Sequence, residues 1–218
     1  MTASTLWLLA QGAAVSLYLA FVGVIGGTVL ALLLNLLAFS RFRLLRWCYF
    51  TYIYFVRGTP LLVQALLIFY ALPAFGLRLG PLAAGALVLT LYIGAMFAEV
   101  FRGGVLAIPR TLWDSSRSLG LAPVPVLRKV VIPLVMRYTL PPYINVCVIT
   151  MKASSVLSVI SVWELTLAAR EIVERTLDVF PVMIAASCFY FVMCFSIDRI
   201  GRRMERQLAL KGFSGERA

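Results

Sequence analysis

Residues 13–39 read AAVSLYLAFVGVIGGTVLALLLNLLAF, a stretch with no charge, in which Ser16, Thr28 and Asn35 are the strongly polar side chains. About 20 apolar residues cross a bilayer, so this run is long enough to span with tilt. Gly23 and Gly27 lie four apart, which puts them on one helix face where another backbone can approach closely. Four further apolar runs follow, at 47–73, 82–101, 140–162 and 179–197. The expected fold is therefore an all-α integral membrane protein of five transmembrane helices, a single domain over 1–218 with no room for an extramembrane one. Composition agrees. The chain is 62% apolar and 13% charged, with a mean hydropathy of +0.96, against about 45–50% and about 25% in soluble domains. A soluble globular domain, a disordered chain, collagen and a disulfide scaffold are all excluded.

Absent residues exclude chemistry as well. There is no histidine, so histidine bases, His–metal sites and Ser-His-Asp triads are out. No G-x-x-x-x-G-K-[ST] loop occurs, so ATP hydrolysis by that route is not expected here. No catalytic residue, metal site or resident cofactor is expected on this chain. Cys48, Cys147, Cys188 and Cys194 form no C-x-x-C and lie in apolar runs, which reads as small core residues. No Lys or Arg precedes Arg41, so the basic n-region of a cleaved signal peptide is missing.

The polar stretches carry the organisation. Arg57-Gly58-Thr59-Pro60 interrupts the second run, and Pro60 predicts a kink or a helix start. The longest polar stretch, about 102–130, holds a short helix over Thr111–Leu119. Thr111-x-x-Asp114 matches a capping box, Gly120 suits a left-handed stop, and Pro123 and Pro125 forbid continuation. Val126–Tyr138 is amphipathic and broken by Pro133, which places it at the interface. The next crossing starts at Pro141-Pro142.

The formal charge is +11, and its placement explains it. Fifteen cations fall on one side of the five-span arrangement: Arg41, Arg43 and Arg46, six between Arg102 and Arg137, and six in a tail from Arg199 to Arg217. Arg78, Arg170 and Arg175 fall on the other, while Arg57 and Lys152 lie within spans. The positive-inside rule puts the larger group in the cytoplasm, the N-terminus outside and the C-terminus inside. No nucleic-acid partner is needed. The tail reads as a topology determinant that meets anionic membrane lipid.

Three segments then carry a resemblance. Residues 55–64 read FVRGTPLLVQ, residues 98–105 read AEVFRGGV, and residues 108–121 read IPRTLWDSSRSLGL. They resemble the R-G-T-P-L-L-V-Q, A-E-x-x-R-G-G and E-A-A loop segments of permease subunits of ABC-type polar amino-acid importers. Ile132-Pro133, Leu140-Pro141 and Met151–Val156 follow at similar spacing, so the resemblance covers essentially the whole chain. It implies a type I importer, MetI-like fold whose 102–130 loop forms a coupling helix. It also implies transport of an amino acid across the cytoplasmic (inner) membrane of a bacterium. The implied partners are a cytoplasmic ABC ATPase dimer that binds ATP and Mg, a second permease subunit, identical or homologous, and an extracytoplasmic amino-acid binding protein. The loop residues that carry over as the ATPase contact are Thr111, Trp113, Asp114, Ser115, Arg117, Leu119 and Gly120, with Trp113 and Leu119 as apolar grip. There are departures. Thr111 and Leu112 replace the family's Gly and Gln, and Asp114-Ser115-Ser116 replaces E-A-A. Ala153 replaces the Asp beside the fourth-span lysine, and Tyr92 stands where an Asn is frequent.

For the substrate path the candidates are Lys152, Asn145, Ser154, Ser155, Arg57 and Glu99. A lysine within a span costs about 2.5–3.5 kcal/mol on insertion scales, so Lys152 should face protein or water. It either lines the path or pairs with another helix or subunit. Glu99 is a partner for Lys152 or, three residues away on its own helix, for Arg102. Arg57 either meets a substrate carboxylate or bonds the carbonyls freed by Pro60. Two other classes fit less well. A self-sufficient channel or secondary transporter would show an inverted repeat and needs no coupling loop. A membrane enzyme would need a catalytic cluster.

Overall fold

The computed structural model describes residues 3–210; Lys211 and Arg217 of the expected tail lie outside them. All regular structure among the described residues is helical. The elements are α1 (Ala3–Ala38), α2 (Arg43–Gly58), α3 (Leu61–Ala71), α4 (Pro81–Leu106), α5 (Arg110–Ser118), α6 (Pro123–Val126), α7 (Ile132–Ala153), α8 (Leu165–Thr176) and α9 (Val179–Leu210). Four helical stretches are long and apolar enough to cross a membrane, and a bent pair supplies a fifth.

That bent pair is the second expected span. As Pro60 leads one to expect, the run at 47–73 breaks there, and α3 is bent by 106° from α2. Pro60 cannot donate a backbone N–H, and it holds the chain extended at φ −62° and ψ 137°. The carbonyls left free are bonded by Gln64, not by Arg57 as one reading had it. The Gln64 Nε2 donates to Val56 O at 2.7 Å, Thr59 O at 3.1 Å and Thr59 Oγ1 at 2.8 Å. The R-G-T-P-L-L-V-Q segment is thus a self-satisfying corner.

The fourth expected span also differs. Val126–Tyr138 is not a separate interfacial helix, and the crossing does not begin at Pro141-Pro142. A helical path runs from Pro123 to Ile160. A π-helical stretch, Leu127–Val131, absorbs the register change ahead of Pro133. Pro133 then sits in the first turn of α7, where its missing N–H is not needed. Pro141 and Pro142 lie inside α7; neighbouring helices make such interruptions tolerable in a membrane. The basic residues Arg199–Arg206 likewise belong to α9 itself rather than to a loose tail.

Packing centres on α1. Its Gly23 and Gly27 face α4 so closely that a Cβ on Gly27 would lie 3.0 Å from Gly94 N and 3.1 Å from Ile93 Cγ2. Gly12, ahead of the expected run, meets the start of α8 in the same way, with Leu165 Cα 2.9 Å from a notional Cβ. Ala31, Tyr49, Ile53, Phe97 and Val146 join α1, α2, α4 and α7. Phe97 stacks on Tyr143 there, with centroids 4.3 Å apart. Leu9, Met151, Leu165, Ile172 and Val182 join α1, α7, α8 and α9. Because an added side chain at Gly27 meets backbone, Gly27→Leu should lower stability by more than about 2 kcal/mol. Gly103, with no atom within 4 Å of a notional Cβ, is the control as Gly103→Ala. Thermal unfolding of the detergent-solubilised protein checks both; equal midpoints would sink the close-packing account.

Not all cysteines are core residues. Cys48 and Cys188 are exposed, and Cys147 and Cys194 are half-buried. Lipid accepts an apolar side chain as readily as a protein interior does, so an apolar run does not by itself mean burial.

Candidate functional site

The antiparallel pair α7 and α9 leaves an open groove of about 600 Å³. Asn145, Val148 and Lys152 line it from α7, and Tyr190, Phe191, Cys194, Asp198 and Glu205 from α9. Asn145 and Lys152 are seven apart, two turns on one face. On α9 the same helical spacing sets out the groove face. Lys152 is exposed and makes no ion pair among the described residues. Asp198 accepts two bonds from Arg202 on its own helix, at 2.8 and 2.5 Å. The groove therefore carries one uncompensated cation and, at its other end, two acids.

The remaining path candidates are not brought there. Ser154 is buried and its Oγ donates to Met151 O at 2.8 Å. Ser155 Oγ donates to Lys152 O at 2.7 Å. Both sit where the α-helix tightens to a 3₁₀ stretch, Ser154–Ile160, and their hydroxyls serve that tightening. Glu99 does not reach Lys152. It accepts from Arg102 Nε at 2.9 Å, Tyr49 OH at 2.8 Å and Arg57 Nη1 at 3.4 Å. Arg57 and Glu99 thus form one cluster between α2 and α4, outside the groove lining.

Helix α5 is built differently from its expected capping. Pro109 is its N-cap and no side chain caps it; the Thr111-x-x-Asp114 box does not form. Thr111 and Asp114 fall inside the helix, which starts one residue earlier than expected because Pro109 already presets its entry. Leu112 and Trp113 pack on Ile108, Val126 and Val131. Trp113 is half-buried there and anchors α5 to its own chain. Leu119 is 75% exposed, and Thr111, Asp114, Ser115 and Arg117 are exposed with it. Gly120 ends the helix at φ 67°. Gly120 N donates to Arg117 O at 2.9 Å and Leu121 N to Ser116 O at 3.1 Å, the paired bonds of a Schellman stop.

Sequence reasoning passed over Glu164. It is fully buried and caps α8, its Oε1 accepting from Thr166 N at 2.9 Å and Leu167 N at 3.1 Å. Its Oε2 accepts from Ser16 Oγ at 3.2 Å and Tyr190 OH at 2.8 Å. An acid directly before a helix-start pattern was the available signal; Ser16, 148 residues away, was not a visible partner.

Comparison with known proteins gives a consistent picture. Residues 23–210 match the family described as "Binding-protein-dependent transport system inner membrane component". The L-cystine transport system permease protein TcyB of Bacillus subtilis (strain 168) is 34% identical over 202 residues, 92% of this chain and 86% of that protein. The glutamine transport system permease protein GlnP of Escherichia coli (strain K12) is 33% identical over 213 residues, 95% of this chain and 97% of that protein. A solved amino acid ABC transporter with histidines superposes with a TM-score of 0.86 at 32% identity, covering 92% of this chain and 94% of that one. The inward-facing MetNI methionine ABC transporter, at 20% identity and a TM-score of 0.75, shares the fold.

Proposed function

This chain belongs to the binding-protein-dependent transport system inner membrane component family, and from that membership we propose how it works: as the permease subunit of an ATP-driven importer for a polar amino acid. Members of this family are multi-pass transport components of the inner membrane, not enzymes in their own right. The relatives are permease proteins for L-cystine and glutamine, which supports an amino acid as the cargo. The observation that carries the reading is Lys152: an unpaired cation, among the described residues, placed in an open groove between α7 and α9. A lysine there is tolerable only where water or a partner reaches it.

In this arrangement a second permease subunit faces the groove and completes the path. A zwitterionic amino acid, delivered by an extracytoplasmic binding protein, meets Lys152 with its carboxylate while Asn145 supplies hydrogen bonds. Arg57 and Glu99 act as a structural cluster. The exposed face of α5, with Asp114, Ser115, Arg117 and Leu119, meets a separate cytoplasmic ATPase, which holds ATP and its magnesium ion. Motion of that partner reaches the groove through α5 and the continuous Pro123–Ile160 path.

Two experiments test the proposal. Purified from its own membrane, the chain should bring along an ATPase and a second permease subunit. Reconstituted with them and the binding protein, it should take up radiolabelled L-cystine or L-glutamine only with ATP. Uptake by this chain alone, without ATP, would favour a channel or secondary transporter. Orientation is tested by a lone cysteine at Glu174 in a background lacking the four native ones. An impermeant maleimide should label it from outside; labelling only after the cytoplasmic face is opened would reverse the topology.

A further inference from the structure

Among the described residues, Glu164 is the charged side chain that is wholly buried. All four of its hydrogen bonds are accepted: from Thr166 N, Leu167 N, Ser16 Oγ and Tyr190 OH. Four donors, two of them backbone N–H groups of α8, converge on its two oxygens. A helix cap needs only Oε1. The other oxygen is directed to α1 and α9 instead.

Tyr190 is the link to the groove. Its ring lines the groove wall, and its hydroxyl lies 2.8 Å from Glu164 Oε2 and 2.9 Å from Thr166 Oγ1. Because Tyr190 donates to the carboxylate, it accepts from Thr166. The hydroxyl is held from two sides, and the ring is fixed with it. A second observation concerns α8. It is bracketed by two non-glycine residues in the left-handed region, Ser161 at φ 60° and Leu177 at φ 56°. Such backbone persists only where surrounding contacts hold it. Ser161 N donates to Ser158 O at 3.1 Å and Leu177 N to Val173 O at 2.8 Å, and Glu164 caps α8 between these two bends.

We propose that Glu164 is a positioning residue for the groove: through Tyr190 it fixes the wall nearest α8 and makes α1, α8 and α9 move as one body. This rests on the groove being the substrate path. Glu164→Gln separates the two halves of the role. The amide keeps one oxygen for the α8 N–H groups and turns only the side facing Ser16 and Tyr190 into a donor.

The test uses the whole importer in proteoliposomes and reads amino acid moved per ATP hydrolysed, with radiolabelled L-glutamine and L-cystine as probes. Loss of one charge-assisted contact should lower this ratio about tenfold in Glu164→Gln and by a similar factor in Tyr190→Phe. The double variant should fall no further than either single one, because both act through the same bond. ATP hydrolysis itself should change by less than about twofold. A merely structural residue would lower uptake and hydrolysis together, and that result overturns the proposal. So do losses that multiply in the double variant, or an unchanged ratio in Tyr190→Phe, which leaves the α8 cap intact and decides the matter if Glu164→Gln fails to assemble. Lys152→Met probes the groove separately. A normal ratio there removes the groove reading and this proposal with it. A reduced ratio there, with normal values in Glu164→Gln and Tyr190→Phe, removes the positioning role alone.

Discussion

Lys152→Met should reduce uptake about ten- to a hundredfold, the loss of a charged hydrogen bond of about 1.5–3 kcal/mol, while the complex still assembles and hydrolyses ATP. Methionine keeps the length and apolar stem of lysine and removes the charge. It should insert more readily than the parent, since the lysine costs about 2.5–3.5 kcal/mol within a span. A selective loss of transport then means that the charge acts on the cargo. The structure sharpens this expectation. Glu99, the acid that sequence reasoning offered as a partner, is held by Arg102, Tyr49 and Arg57, so no ion pair among the described residues is broken by the substitution. Lys152→Arg, which keeps the charge, should retain part of the uptake. If Lys152→Met instead dissociates the permease pair, the lysine meets an acid on the second subunit. If uptake is unchanged, the cargo is bound by that subunit and not here.

Gly120→Val should lower uptake by more than about tenfold with insertion and groove chemistry intact, because coupling needs different contacts in the two nucleotide states. Space is not the obstacle, since nothing lies within 4 Å of a notional Cβ. The obstacle is the left-handed backbone at φ 67°, which costs a side-chain-bearing residue about 1–2 kcal/mol and a β-branched one more. That is small for a whole protein but large for α5, which has 9 residues; isolated helices below about 12–15 residues are marginal. Trp113 pins the first part of α5 to its own chain, and the Gly120 stop holds the last turn where Leu119 projects. Losing the stop unties Leu119 from the surface it must meet. Gly120→Asn, which tolerates the left-handed region, should be milder. The measurement is ATP hydrolysis stimulated by the binding protein, set beside uptake. Full transport in Gly120→Val would refute the coupling role of α5.

Much of this protein was legible in its residues. Runs of about 20 apolar residues have few alternatives to a spanning helix, so the helical membrane fold followed from the run at 13–39 and its four counterparts. Gly23 and Gly27 announced a close helix contact, and Pro60 a break. The segments at 55–64, 98–105 and 108–121 pointed to the family that comparison confirmed.

What the sequence left open was which way each helix turns. In a soluble protein the apolar stripe marks the inside. Here lipid and core are equally apolar, so Cys188 faces outward and Met151 inward with nothing in the local sequence to tell them apart. Lys152 and Ser154 were both path candidates; two residues apart on one helical path they face nearly opposite ways, and the packing put Ser154 in the interior and Lys152 in the groove. Glu164 depended on Ser16 and Tyr190, partners on two other helices that only the packed bundle brings within 3.2 and 2.8 Å. The length and apolarity of a span are properties of the chain. The facing of its few polar groups belongs to the tertiary structure, because each buried donor and acceptor must find its partner across helices once water is gone.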